Sequence, residues 1–285
     1  MKEAAFYKIS QDEVNIDCGL CPHNCKIASG KSGICGVRRN RNGALIAESY
    51  GKVTSIALDP VEKKPLYHFY PGSKILSIGS YGCNFNCGFC QNHRISAKSA
   101  LYQMFSPNEI AATSKDLVLK GNIGVAYTYN EPLIGYEFVK DCAELLRKQR
   151  QKNVLVTNGF IMPEPFNQLL QFIDAANIDL KSFNPLFYKE IGGKLENVKN
   201  NIINAVKSCH VEVTTLIIPG KNDSPKEIEA LAEWLAEIDD KIPLHISRFF
   251  PAYKMQDISP TPIDTIYNFV EIAGKYLRCV YPGNC

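Results

Sequence analysis

From residue 74 onward the chain alternates short apolar runs with amphipathic segments, and no other feature restricts its fold so tightly. The runs are KILSIGS (74–80), IGVAYTY (123–129), NVLVTNG (153–159), AANIDL (175–180), VEVTTLII (211–218) and PLHISRFF (243–250), with LRCVYP (277–282) as a possible further one. Helix-start signals stand between them. Ser106-Pro107-Asn108-Glu109 offers a serine cap, a proline for the first turn and a glutamate to reach back. Ser224-Pro225-Lys226-Glu227 repeats it, with Ile228, Leu231, Leu235 and Ile238 following on one helical face. Thr261-Pro262 marks the start of the last helix. Strand-then-helix units in series require parallel strands with right-handed crossovers. The fold class is therefore α/β, either an open doubly wound sheet or a partial (β/α)6 TIM-type barrel. In both, ligands sit at the carboxyl ends of the strands.

Those ends carry the chemistry. Cys83, Cys87 and Cys90 follow the first run, Asn130-Glu131-Pro132 the second, Asn158-Gly159 the third, and Asp179 with Lys181 the fourth. Pro219-Gly220 closes the fifth, and the sixth carries His245 and Arg248. Core packing does not explain polar groups at so many strand ends. Each still has a plainer reading: Glu131 beside Pro132 suits a helix start, Asn158-Gly159 a simple turn, Asp179 and Lys181 a surface pair, and His245 a satisfied core histidine. Phe249, Phe250 and Tyr253 either line a substrate pocket or pack the core.

Residues 1–70 differ in texture, being rich in cysteine, glycine and basic residues with little periodicity. The expected division is an amino-terminal cysteine-rich module with its lead-in over 1–70 and a barrel over 71–285. Within the module, CGLCPHNCKIASGKSGIC places Cys18, Cys21, Cys25 and Cys35 at spacings x2, x3 and x9. A segment without its own core needs a metal to order it. The C-x2-C half-site suits zinc, four thiolates suit a second iron–sulfur cluster equally well, and His23 is a substitute ligand. Of the remaining cysteines, Cys142 and Cys209 read as packing residues, while Cys279 and Cys285 lie near the end.

A formal charge of +3 is too mild to argue for nucleic acid or an acidic membrane surface as partner. Arg38, Arg39 and Arg41 read as a solvated loop. No apolar stretch reaches the roughly 18 residues of a membrane span, and MKEAAFYKISQDEV lacks the apolar core of a secretory signal. The expected location is the cytoplasm, where clustered cysteines bind metals rather than form disulfides.

The run GCNFNCGFCQN stops at three thiolates, spaced C-x3-C-x2-C. Three can hold three irons of a [4Fe–4S] cube and leave the fourth iron open to a non-protein ligand. Gly88 would then allow a tight turn and Phe89 supply a flat apolar wall. The alternatives are a zinc knuckle completed by a distant ligand such as His93, or simply buried thiols.

This motif resembles that of the radical S-adenosylmethionine (SAM) enzymes. TYNEP, VTNGF and IDLKS extend the resemblance to the pyruvate formate-lyase activating enzymes, and EKKPLYHF, YTYNEP and SRFFPAYKM to the AmmeMemoRadiSam subgroup, over essentially the full length. The resemblance implies that the open iron chelates SAM and that Glu131 hydrogen-bonds its methionyl ammonium, with Asn130 and Phe89 close by. It implies Thr157 and Asn158 near the ribose or carboxylate, and Asp179 and Lys181 near the methionyl carboxylate or the reacting centre. His245 and Arg248 are further contacts carried over. Tyr129 and Asn130 stand where many relatives have two glycines, and Val156 stands where an activating enzyme often has aspartate. The implied activity is reductive cleavage of SAM to methionine and a 5′-deoxyadenosyl radical, using an electron donor such as flavodoxin or ferredoxin. The radical then abstracts hydrogen from a small-molecule or protein substrate. The alternatives are an activase that installs a glycyl radical on a partner protein, and a non-catalytic iron–sulfur or zinc scaffold or electron carrier.

Overall fold

The computed structural model describes residues 1–10, 15–96 and 100–285, so part of the opening segment lies outside the described residues. All six expected strands form, the possible further one forms at Val280–Gly283, and an unexpected eighth, Ser55–Pro60, joins them. The main sheet comprises β1 (Ser55–Pro60), β2 (Lys74–Gly79), β3 (Asn122–Tyr127), β4 (Lys152–Thr157), β5 (Ala175–Asp179), β6 (His210–Ile217), β7 (Leu244–Arg248) and β8 (Val280–Gly283). The strands lie side by side in chain order. β2 to β8 run parallel, and β1 runs antiparallel to β2. Among the described residues β1 and β8 do not pair, so the barrel is partial. β1 lies on the amino-terminal side of the boundary expected at residue 70, yet it pairs along its whole length with β2.

Helices cover the outside of the sheet: α1 (Pro107–Asp116), α2 (Tyr136–Lys148), α3 (Pro163–Leu170), α4 (Pro185–Glu190), α5 (Leu195–Val206), α6 (Pro225–Ile238) and α7 (Ile263–Ala273). α1 opens with the complete capping box read from Ser106 and Glu109. The matching signal at α6 behaves differently. Ser224 makes no side-chain cap, and the Glu227 carboxylate, instead of reaching back to it, accepts from Ser182 Oγ and Phe183 N–H after β5. The apolar face of α6 still buries Ile228, Leu231 and Leu235.

Inside the half-barrel, alternate residues of each strand face inward. Ile75, Ala126, Val154 and Ala175 pack there against Val61, Leu66 and Phe69. The EKKPLYHF segment therefore closes the amino-terminal mouth of the barrel. Its backbone is bound from within: Tyr67 and Phe69's neighbour His68 donate their N–H groups to Glu212 of β6 at 3.0 and 2.7 Å, and Asn177 of β5 donates to the Pro65 carbonyl at 2.8 Å.

The amino-terminal residues form a three-stranded antiparallel sheet (Tyr7–Ile9, Ile16–Cys18, Lys26–Ile27) and a hairpin (Arg38–Arg41, Ala44–Ala47). The expectation of a solvated loop over the arginines fails at Arg38. It is buried and bonds both Glu137 carboxylate oxygens, at 2.9 and 3.2 Å, together with the Ala5 carbonyl. Removing one member of such a buried pair strands the other, at a cost of about 3–5 kcal/mol. Among the described residues no helix is long and apolar enough to cross a membrane.

Candidate metal and cofactor site

The three cysteines after β2 open into a cavity of about 290 Å³ at the carboxyl ends of the strands. Cys83, Cys87, Phe89, Cys90, Asn130, Glu131, Thr157, Asn158, Asp179 and Lys181 all line it. The parallel topology explains the convergence, since these residues leave the same end of four neighbouring strands, β2 to β5. The glycine that the loop needs is Gly82, not Gly88. Gly82 has φ +85°, and a Cβ there would meet Val37 Cγ1 at 2.6 Å and the Cys35 carbonyl at 2.7 Å. At Gly88 the nearest atom to an added Cβ is the flexible Met255 Cε at 3.4 Å, and φ is ordinary. Phe89 is buried against Phe187, ring centroids 5.9 Å apart.

Glu131 combines both of its readings. It caps the turn Pro132–Gly135 through Leu133 N–H at 2.9 Å. The same Oε1 accepts Thr157 Oγ1–H at 2.6 Å, while Oε2 accepts Asn158 N–H at 2.8 Å. Burial pushes its carboxyl up to about 7, against the pull of those three donors. Oε2 has a single donor among the described residues, which leaves room for a cation from the cavity.

Asn130 lines the cavity, but its amide is spent on the three-cysteine loop. Its Oδ1 accepts Ser80 N–H at 2.9 Å, and Nδ2 faces the Tyr81 and Gly82 carbonyls at 3.3 and 3.2 Å. Tyr129 is in the left-handed region at φ 71°, and its hydroxyl donates to Asp59 at 2.8 Å. Buried Lys64 lies 4.7 Å over the Tyr129 ring and pairs with the same Asp59 at 2.8 Å. Asp179 and Lys181 form a 2.7 Å pair inside the cavity rather than on the surface. Burial disfavours the Lys181 ammonium, but its pairing with Asp179 outweighs that and holds the charge.

Three expectations do not reach this cavity. His245 points into the barrel one layer lower, where its Nε2 lies 2.6 Å from Glu212 Oε2 and its ring meets Tyr67 edge-on at 4.7 Å. It is a satisfied interior histidine, and Ser247, two residues further along β7, lines the cavity in its place. Arg248 donates to the Thr261 carbonyl at 2.6 Å and stacks over Phe250. His93 lies beside the Cys90 carbonyl and stacks on Tyr253 at 4.8 Å, so it does not complete a knuckle. Phe249 is core, whereas Phe250 and Tyr253 are exposed. Sequence reasoning missed Thr214, Leu216, Ser247 and Asn284 in the lining. The period of two along VEVTTLII and PLHISRFF could have found the first three; Asn284 had no signal.

Both cysteine groups fit metal chemistry by their donors. Burial pushes the Cys83 thiol up and the Cys87 thiol up to about 12, so ionising them requires a compensating cation. In the amino-terminal quartet, Cys18, Cys21 and Cys35 are buried and Cys25 half-buried. Backbone N–H groups point at the sulfurs: His23 at Cys21, Ile34 at Cys25, and Val37 with Arg38 at Cys35. The His23 side chain turns away from the quartet to the Asn84 carbonyl. Among the described residues no three His, Cys, Asp or Glu side chains close to the spacing of one bound ion. Cys142 is core, as expected.

A family model described as the radical SAM superfamily matches residues 77–235. An uncharacterized protein of Methanocaldococcus jannaschii is 41% identical over 292 residues, spanning 100% of this chain and 85% of the relative. A putative glycyl-radical enzyme activating enzyme of the same organism is 25% identical over 216 residues, 72% of this chain and 79% of its own length. In fold, the chain is similar to Streptococcus suis SuiB bound to S-adenosylmethionine, with a TM-score of 0.57 at 13% identity over 74% of this chain and 52% of that one.

Proposed function

The chain belongs to the radical SAM superfamily, and from that premise we propose that it cleaves SAM reductively to abstract hydrogen from a substrate. Cys83, Cys87 and Cys90 would hold a [4Fe–4S] cluster. When bound, that cluster supplies one electron to the sulfonium bond, which parts into methionine and a 5′-deoxyadenosyl radical. The observation that carries the reading is the shared cavity of the three cysteines and Glu131, whose Oε2 keeps an acceptor position open toward it. The chain's own residues bind and orient. Glu131 would take the methionyl ammonium, with Thr157 and Asn158 fixing the rotamer of its carboxylate. Lys181, held charged by Asp179, would take the methionyl carboxylate, and the apolar ring of Phe89 would keep water from the reacting centre.

The electron would come from a reduced flavodoxin or ferredoxin. The amino-terminal quartet would hold zinc or a second iron–sulfur cluster. A second reading, activation of a partner protein by a glycyl radical, is favoured by the exposed mouth of the cavity at Gln91, Asn92 and Asn284. To test the first reading, the chain is reconstituted anaerobically with iron and sulfide, reduced and given SAM. 5′-Deoxyadenosine is expected, and is expected to vanish in Cys87→Ala. An intact cluster whose spectrum ignores SAM would defeat it.

A further inference from the structure

His23 stands midway between Cys21 and Cys25 of the amino-terminal quartet, yet its side chain serves the other cysteine loop. Its Nε2 lies 2.7 Å from the carbonyl oxygen of Asn84, the residue after Cys83. A carbonyl can only accept, so Nε2 carries the proton. The N–H of that same peptide unit belongs to Phe85, and it points at Cys83 Sγ from 3.4 Å. An imidazole, one peptide group and one cluster-loop sulfur thus form a continuous hydrogen-bonded chain from module to site.

The peptide is not free to turn. Asn84 Nδ2 donates to the Phe160 carbonyl at 2.7 Å, and its Oδ1 accepts from Asn158 at 2.9 Å. The Phe160 ring meets the imidazole edge-on at 5.3 Å. A donor on the carbonyl polarises the peptide and strengthens the bond its N–H makes. Hydrogen bonds to ligand sulfurs are among the main determinants of cluster potential. N–H donors favour the more negative, reduced state.

We propose that His23 is a positioning residue through which the amino-terminal module sets the reduction potential of the cluster on Cys83, Cys87 and Cys90. The proposal rests on the cluster reading above and deepens it. Metal on the quartet would fix Cys21 and Cys25, and with them the turn through Asn24 (φ 44°) that aims the imidazole. The module is then a tuner of the site, not only its neighbour.

The test uses the reconstituted full chain in a redox titration followed by electron paramagnetic resonance of the SAM-responsive signal. His23→Ala lowers its midpoint potential, on the order of threefold in the reduced-to-oxidised ratio at fixed donor potential, which is about 28 mV for one electron. His23→Gln, whose amide N–H reaches for the same carbonyl, recovers most of the shift. An unchanged midpoint in His23→Ala overturns the proposal, as does an equal shift in both variants. A second measurement needs no cluster on the three cysteines. In Cys21→Ser, amide exchange over residues 83–86 rises if the quartet aims His23, and unchanged protection overturns the proposal. Failure of the parent reading looks different, since the wild-type chain would then show no SAM-responsive signal at all.

Discussion

Two buried glutamates point into the same half-barrel and meet opposite treatment. At the amino-terminal floor, Glu212 accepts the backbone N–H groups of Tyr67 and His68 and lies 2.9 and 2.6 Å from the imidazoles of His210 and His245. Burial alone would raise its carboxyl, but those four partners bring it down to about 2. At the carboxyl-end cavity, Glu131 has three donors and burial prevails, pushing it up to about 7. A fully satisfied carboxylate serves the fold. One left short of a partner, facing a cavity with three cysteines, marks a candidate binding position.

That contrast can be broken at several points. The largest effect is expected from Glu212→Ala, which leaves the Tyr67 and His68 N–H groups without their acceptor and releases the segment that plugs the barrel. We expect a loss of about 3–5 kcal/mol in chemical denaturation; a loss below about 1 kcal/mol would mean that the plug is held by its apolar contacts alone. Glu131→Gln should do the reverse. Folding stability at neutral pH is kept or improved, while SAM affinity falls about tenfold or more, as loss of a charged hydrogen bond implies. Equilibrium binding to the reconstituted protein decides it, and unchanged affinity would remove Glu131 from the cofactor contacts.

The pH dependence separates the pair without any ligand. Glu131 sits above its ordinary 4.5, so its share of stability is complete below that pH and is lost as the pH rises through about 7. Glu212 sits below 4.5, so its share is complete above that pH and is lost as the pH falls toward about 2. Denaturation across the pH range should therefore lose its decline between 4.5 and 7 in Glu131→Gln, and part of its acid-side loss in Glu212→Gln. Identical slopes in the two variants would contradict the contrast. The smallest effects come one layer apart on β7. His245→Asn should cost about 1–2 kcal/mol and leave SAM affinity alone, whereas Ser247→Ala should spare stability and disturb only cavity binding. A SAM defect in His245→Asn would return that residue to the site.

Legibility followed the range of the interactions. Parallel strands were readable because burial on both faces writes a local apolar run, and the cavity was readable because parallel topology gathers strand ends. Asp179 and Lys181 line the cavity for that reason. His245 misled because a period of two says which face a side chain takes and not at what depth along the barrel it lies. Arg38 misled because its partner, Glu137, is remote in the chain.

By itself, the sequence determined the run of parallel strands, the end of the sheet at which the cavity opens and the three-cysteine loop, since each depends on spacing along the backbone. Only the tertiary structure decided which of two inward glutamates is satisfied and which is left open. It also decided that Tyr129 and Asn130 brace the loop and floor, and that His23 reaches from one cysteine group to the other. Those outcomes depend on which distant donors arrive within hydrogen-bond distance, and no local pattern encodes that arrival.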